Sequence, residues 1–475
     1  MTAMSDPTTK ARIVVIGGGF SGAVFSLHLA RKATRSCTIT VVEPREKLGA
    51  GVAYGTPDPA HRINVPAARM IVFPEAPTDF DSWFRSGAEL VADPEALWSD
   101  GHAYPRRSAF GRYIAATLAS AAASRPDITI SHHQGAATAV RRHDHRFTIH
   151  LEDGTILDAD LIVLAVSHPP PTVPALVTTS LGTGPDIIAD PWAPDALATV
   201  TPSDDVLVIG TGLTMADVIA SLGQRGHHGN ITAFSRRGLL SRGHACYTDP
   251  YTWFGANDPP LSALALLRKL RALIAEAAKD GVPWHAVIDD VRAHGRRVWR
   301  SLPALERSRL LRHLRPFWDV HRYRIAPQAE AAIGERLNEG SLRVLAASLR
   351  SLQRKNGKII ASLRPRHGAE GACETVTVDK IIVTTGPAHD SVISANPALS
   401  SLSKAGLLTP DPLGLGIAVN AISEVIAADG STTDTLLVAG PLAREQYGEL
   451  MGLPQVSAHA LEIAEKVALW LVLHR

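Results

Sequence analysis

The sequence predicts an α/β protein built from two Rossmann-like dinucleotide-binding lobes, with a helical insertion in the second. Three observations carry this. Ile13-Val14-Val15-Ile16 runs into Gly17-Gly18-Gly19-Phe20-Ser21-Gly22, and far downstream Val206-Leu207-Val208-Ile209 runs into Gly210-Thr211-Gly212-Leu213-Thr214. Each is a branched apolar run, a glycine turn and then apolar residues at helical spacing. From Leu261 to about Ala332 the pattern turns helical and basic.

In the first turn, Gly17 allows the sharp bend, Gly19 lets backbone approach a pyrophosphate, and Gly22 lets helix and strand pack closely. A diphosphate then sits at the helix N-terminus, where free N–H groups and the dipole favour negative charge. The next strand, Cys37 to Val42, ends at Glu43, a carboxylate placed to accept from a ribose hydroxyl. Gly17, Gly19, Phe20, Ser21, Gly22 and Glu43 are therefore candidate cofactor contacts.

Pro44 to Gly55 is too glycine-rich for regular structure, and the loop continues through His61 to Met70. So long a loop predicts function. In a flavoprotein this segment passes over the isoalloxazine, which makes Gly51, Tyr54, Asn64, Val65 and Met70 candidates, with Asn64 for the polar edge of the ring. Asp79 to Arg85 reads as a short helix and Phe110 to about Ser124 as an alanine-rich one. Strands are expected at Ile128 to Ser131, Ala137 to Arg141, Phe147 to Leu151 and Leu161 to Val166. Asp153-Gly154 is a hairpin signal. Residues 169–202, rich in Pro, Thr and Asp, read as a connection.

In the second fingerprint Met215 replaces the third glycine, so helix and strand are expected to sit slightly apart. The strand Ile231 to Phe234 ends not in an acid but in Ser235-Arg236-Arg237, and arginine there accommodates a 2′-phosphate. Gly210, Gly212, Leu213, Thr214, Ser235, Arg236 and Arg237 are the candidates for NADP. In the insertion, Leu261 to Lys279 and Trp299 to Leu314 predict amphipathic helices. Its arginines read either as a solvated face or as a cap lending cations to an acidic ligand. Short strands follow at Leu342 to Leu345, Leu349 to Leu352, Lys358 to Leu363 and Lys380 to Thr385. One more strand, Leu436 to Leu442, and a helix from Val456 to Leu473 end the chain, and this strand–glycine–helix returns to the first lobe. Its candidates are Gly440 and Pro441.

The expected domains are a tail at 1–10, a discontinuous FAD-binding domain at 11–170 and 387–475, a connection at 171–202, and an NADP-binding domain at 203–386 with the insertion at about 255–335. A net charge of +2 over 475 residues gives no nucleic-acid footprint. The polar start shows no signal or transit pattern, and no apolar run is long enough to span a bilayer, so the expected location is cytoplasmic. Cys37, Cys246 and Cys373 stand far apart, which excludes a Cys-x-x-Cys dithiol centre. The scattered histidines lack metal-ligand spacing, so no metal is expected.

Several stretches together resemble a family of bacterial FAD/NAD(P)-binding proteins. They are the first glycine turn, Gly51-Val52-Ala53-Tyr54-Gly55, Asn64-Val65-Pro66-Ala67, Pro105-Arg106 with Phe110-Gly111, Gly210-Thr211-Gly212-Leu213-Thr214, Ser235-Arg236-Arg237-Gly238-Leu239, Trp318-Asp319-Val320-His321-Arg322 and Gly440-Pro441-Leu442. The chain looks like a branch of the two-dinucleotide flavoproteins close to the N-hydroxylating monooxygenases of lysine and ornithine, and is similar also to flavin N-oxygenases of aspartate. Arg107-Ser108-Ala109-Phe110 matches an Arg-x-x-Phe stretch of those relatives. Where flavoproteins of this kind carry Gly-Asp near the C-terminus, this chain has Gly440-Pro441, so only backbone binding carries over.

The resemblance implies FAD in the first lobe, NADPH in the second, and N-hydroxylation of a small amine or amino acid, acidic ones included, through a peroxyflavin. Oxygen and that substrate are the expected partners, with a homo-oligomer as a candidate assembly. No catalytic side chain stands out, because the cofactor carries the chemistry. Arg242, Arg324 and Arg444 are the candidate substrate cations, Arg242 competing with a phosphate role for its own loop. The alternatives are an FAD-dependent NADPH reductase and a non-catalytic dinucleotide sensor.

Overall fold

The computed structural model describes residues 10–474 except 168, 248–251, 253, 255–259, 370 and 389–390. Of the expected tail, only Lys10 lies among the described residues.

Two large sheets dominate, the first all parallel and the second mixed, with Leu342–Lys355, Lys358–Pro365 and Glu374–Val378 antiparallel to one another in turn. The first has the strand order Leu436–Val438, Leu161–Leu164, Ala11–Ile16, Cys37–Val42, Ile128–His133, all parallel. Because side chains alternate along a strand, Ile13 and Val15 enter the core layer on one face while Val14 and Ile16 enter the layer on the other. Burying such a side chain is worth roughly 1.5–3 kcal/mol, against about 1 kcal/mol net for one hydrogen bond. The two apolar layers, more than the ladder, therefore fix the register. Helices Phe20–Lys32 and Gln455–Leu473 pack together on one side of this sheet. A three-stranded antiparallel sheet, Ala137–His143, Arg146–Leu151 and Ile156–Ala159, contributes Val140, Phe147 and Ile149 to the layer on the other.

The second sheet repeats the plan in the order Glu374–Val378, Lys358–Pro365, Leu342–Lys355, Ile231–Ser235, Val206–Ile209, Lys380–Val383, Ile187–Ile188. Val206 and Val208 face one layer, Leu207 and Ile209 the other. Ile187–Ile188, from the expected connection, pairs at its edge.

Three local expectations change. The loop after Glu43 contains a helical turn, Gly51–Tyr54, because Tyr54 N donates to Ala50 O at 3.0 Å and closes it. The helix expected from Trp299 to Leu314 is broken into Gly295–Ser301, Ala304–Arg309 and Leu310–Leu314. Pro303 has no N–H to donate and holds Leu302 extended at φ −77°, ψ 128°. The two short strands expected at 342–345 and 349–352 are one strand, Leu342–Lys355, which absorbs a bulge between Leu349 and Ser351. Among the described residues no helix is long and apolar enough to cross a membrane, and no group of side chains could hold a metal ion.

Candidate functional site: a cavity bordered by both glycine turns

A cavity of about 770 Å³ opens at the carboxyl ends of the first sheet's strands, where open α/β sheets bind ligands. Gly17, at φ 102°, turns the chain there; a Cβ on it would lie 2.5 Å from Ala165 O. Gly22 is forced by packing, since a Cβ would meet Gly17 O at 2.0 Å. Gly51, at φ 53°, is the tighter side of the approach to Gly19: a Cβ on it would sit 3.2 Å from the Gly19 Cα, so glycine there lets the loop close on the turn. The helix Phe20–Lys32 has no side-chain cap and no acid in its first turn. Its leading N–H groups thus remain open to an anion. A glycine cradle at an uncapped helix start, beside a cavity within the roughly 300–1,000 Å³ of ligand pockets, fits a dinucleotide.

Glu43 is buried at the cavity wall. Its Oε2 accepts from Gly18 N at 2.8 Å, and its Oε1 accepts from Arg45 N and Nη1 at 3.1 and 3.0 Å. These bonds orient the carboxyl group and leave it lone pairs to spare for a hydroxyl. Tyr54 meets Phe20 and Phe110 at ring distances of 5.9 and 4.8 Å, which anchors the Gly51–Tyr54 turn over the cavity.

The second lobe reaches the same cavity. Helix Leu213–Gln224, again uncapped and without an acid in its first turn, presents Leu213, Thr214 and Asp217 to it. Asp217 Oδ1 accepts from Arg107 Nη2 of the first lobe at 2.9 Å, and both side chains are 7% exposed. Arg107 Nε donates to Arg62 O at 2.8 Å, and the guanidinium lies 5.1 Å from the Trp192 ring centre. One turn further along, Ser221 Oγ meets His61 Nε2 at 3.2 Å, while His61 Nδ1 pairs with Thr56 Oγ1 at 2.7 Å. Burial lowers the His61 pKa and keeps it neutral. A buried ion pair of this kind is strongly costly to break from one side, so it bolts the fingerprint helix of one lobe onto the other.

Of the expected residues, Gly17, Gly19, Phe20, Ser21, Glu43, Gly51, Tyr54, Asn64, Val65, Met70, Pro441, Leu213, Thr214 and Arg324 line the cavity. Asn64 is braced, its Oδ1 accepting from Arg107 Nη2 at 3.5 Å and its carbonyl from His244 Nε2 at 2.8 Å. Gly440, at φ 103°, lies behind Ser21, where a Cβ would come within 2.4 Å of Ser21 Oγ. Gly22, Gly210, Gly212, Ser235, Arg236, Arg237, Arg242 and Arg444 do not line it. Gly210, at φ 120°, turns the second fingerprint against Thr384 O. Ser235 Oγ accepts from Thr211 Oγ1 and Gly238 N, Arg236 is exposed, and Arg237 donates to His313 O and stacks 4.7 Å from Phe317. Arg242 is exposed and Arg444 buried. Sequence reasoning missed Trp192, Arg322, Tyr323, Met451, Gly452, Leu453 and Val456, all of which reach the cavity from far along the chain. It quoted Arg107 within the Arg-x-x-Phe stretch and gave Asp217 no role.

Residues 14–169 match the family model described as FAD-NAD(P)-binding. No curated protein sequence matches the chain. Among solved structures it is similar to the ornithine N-hydroxylase of Kutzneria sp. 744 with reduced FAD, NADP+ and L-ornithine (14% identity, TM-score 0.61, covering 98% of this chain and 99% of that one). It is similar also to L-lysine 6-monooxygenase from Pseudomonas syringae (16%, 0.60, 98% and 99%) and to the FAD-bound cadaverine monooxygenase of Erwinia amylovora (12%, 0.61, 97% and 95%). An FAD-NAD(P)-binding first lobe thus sits within a chain that, taken whole, has the two-lobe fold of these N-hydroxylating flavin monooxygenases.

Proposed function

We propose that the protein is an FAD- and NADPH-dependent monooxygenase that N-hydroxylates a small amine or amino acid in the cytoplasm. One observation carries this: a single cavity is bordered by the first glycine turn and by the start of the second lobe's fingerprint helix. When bound, FAD and NADPH supply the redox chemistry, R–NH2 + O2 + NADPH + H+ giving R–NHOH + NADP+ + H2O.

The chain's own residues bind, orient and exclude water. The N–H groups that open helix Phe20–Lys32 hold a diphosphate, and Glu43 takes a ribose hydroxyl. Leu213 and Thr214 open the second nucleotide site, with Arg236 and Arg237 for a 2′-phosphate. Arg107 and Asp217 fix the distance between the two sites. Trp192 and Leu453 shield the cavity from water. No side-chain base is needed: both ring nitrogens of His61 are engaged, and burial lowers the pKa of His244 to about 4. The names of the three structural neighbours support an amine nitrogen as the oxygen acceptor. The resemblance of the sequence extends the proposed range to an acidic, aspartate-like amino acid.

The test is an aerobic screen of amines and amino acids with NADPH, reading hydroxylamine product against hydrogen peroxide. At least one compound is expected to yield hydroxylamine in proportion to NADPH consumed. NADPH consumption that ends in stoichiometric peroxide with every compound would instead favour the reductase alternative.

A further inference from the structure

Beside the main cavity lies a smaller one of about 150 Å³, between Val65 and Leu453. It is below the roughly 300 Å³ at which pockets for drug-sized ligands begin. Four guanidiniums line it, those of Arg69, Arg292, Arg322 and Arg324. Two carboxylates pair with them. Asp289 is shared by Arg324, at 2.8 and 3.0 Å, and by Arg69 at 3.5 Å. Glu449 takes Arg322 Nε at 3.0 Å and the Trp318 indole at 2.6 Å. Four cations against two anions leave two positive charges in excess at the wall. Arg292 has only neutral acceptors among the described residues, Leu453 O and Gln455 Oε1.

The hydrogen bonding is also incomplete. Arg322 and Arg324 side chains are 4% and 6% exposed, yet Arg322 Nη2, Arg324 Nε and Arg292 Nε have no partner among the described residues. A buried guanidinium N–H without an acceptor is costly. Burial, and then the charge of Arg322, push the Arg292 pKa down to about 9, as expected where an anion is wanting. Arg322, Arg324, Val65 and Leu453 line both cavities, so a group seated in the small one leaves the rest of its molecule in the large one.

We infer that the small cavity is a carboxylate subsite and that the compound oxidised in the adjoining cavity is therefore an amino acid rather than a simple amine. The second half rests on the proposed N-hydroxylation; the first does not. A carboxylate suits the site because its two in-plane oxygens match the planar N–H fork of arginine. Nucleotide phosphates have their own places at the two uncapped helix starts.

The test is equilibrium binding to the FAD-loaded protein without NADPH. The probes are L-ornithine and L-lysine, each against its counterpart lacking the carboxylate, 1,4-diaminobutane and 1,5-diaminopentane, and L-aspartate and L-glutamate, each against the amine lacking both carboxylates, ethylamine and 1-aminopropane. At least one amino acid should bind about tenfold or more tightly than its counterpart. Arg322→Lys, which keeps the charge beside Glu449 but loses the fork, should erase most of that margin while FAD content and melting temperature stay near wild type. Should Arg322→Lys fail to hold FAD, Arg292→Lys, in the lining of the same small cavity, carries the same expectation. Equal binding of acids and counterparts, binding of neither, or a margin untouched by these variants would overturn the subsite. Because binding is read without turnover, a failed hydroxylation screen leaves this result standing or falling by itself.

Discussion

The two lobes begin alike and end differently. Gly17 and Gly210 both bend at positive φ, 102° and 120°, and both N–H groups donate at 2.9 Å to a carbonyl near the end of the neighbouring strand, Val42 or Phe234. A Cβ on either would lie 2.5 Å from the carbonyl of the strand beyond, at Ala165 or Thr384. Past the bend the lobes diverge. Gly22 is pressed onto Gly17, whereas Met215 occupies that place and is buried. The first lobe's second strand ends in Glu43, whose carboxylate grips the glycine turn through Gly18 N; the second lobe's ends in Ser235, whose hydroxyl grips its own turn through Thr211 and Gly238. The backbone turn is set by sterics that both nucleotides share, and the chemistry of discrimination is left to the residue at the end of the next strand.

The sharpest way to break the comparison is to block each turn. Gly17→Val puts a branched side chain at positive φ against Ala165 O, and the purified protein should be colourless. Gly210→Val should leave FAD bound and abolish reduction by NADPH. Absorbance spectra and anaerobic reduction read both; identical defects in the two variants would deny the lobes separate ligands. Next in size is the bolt between them. Arg107→Met leaves Asp217 buried and unpaired and should cost about 3–5 kcal/mol in denaturant unfolding, with Arg107→Met/Asp217→Leu recovering much of it.

Arg236→Ala with Arg237→Ala should weaken NADPH about 10- to 100-fold while sparing NADH. Equal losses for both nucleotides would reject a 2′-phosphate at that strand end. The smallest effect is acid sensitivity, and buried histidines of both lobes carry it. Burial lowers the pKa of His28 to about 4 and of His459 to about 3, from 6.5. The unfolded chain then binds more protons below about pH 6.5, so stability falls as pH drops from 7 towards 4. Melting temperature should decline over that window, and a flat profile would contradict it.

Much of this was legible in the residues because it is local. A branched run meeting glycines specifies strand, turn and helix from within ten residues, and the alternation at Ile13 to Ile16 already divides two core layers. What stayed hidden is what the fold assembles from afar. Arg107 and Asp217 are ordinary helix residues until two helices 110 positions apart meet. Arg322 read as one arginine among many in a basic insertion, and only its burial, with Nη2 left without an acceptor among the described residues, sets it apart; of the three arginines chosen from the sequence, Arg324 alone reaches the cavity. Pro303, by contrast, was a readable break that the helical spacing around it masked.

The central claim is that one cavity brings two nucleotides within reach of each other. Its most direct measurement is anaerobic mixing of the FAD-loaded protein with NADPH in a stopped-flow spectrometer. The account predicts bleaching of the oxidised flavin band within the mixing experiment, faster with NADPH than with NADH and absent in Gly210→Val. A flavin band that persists with either nucleotide would contradict it.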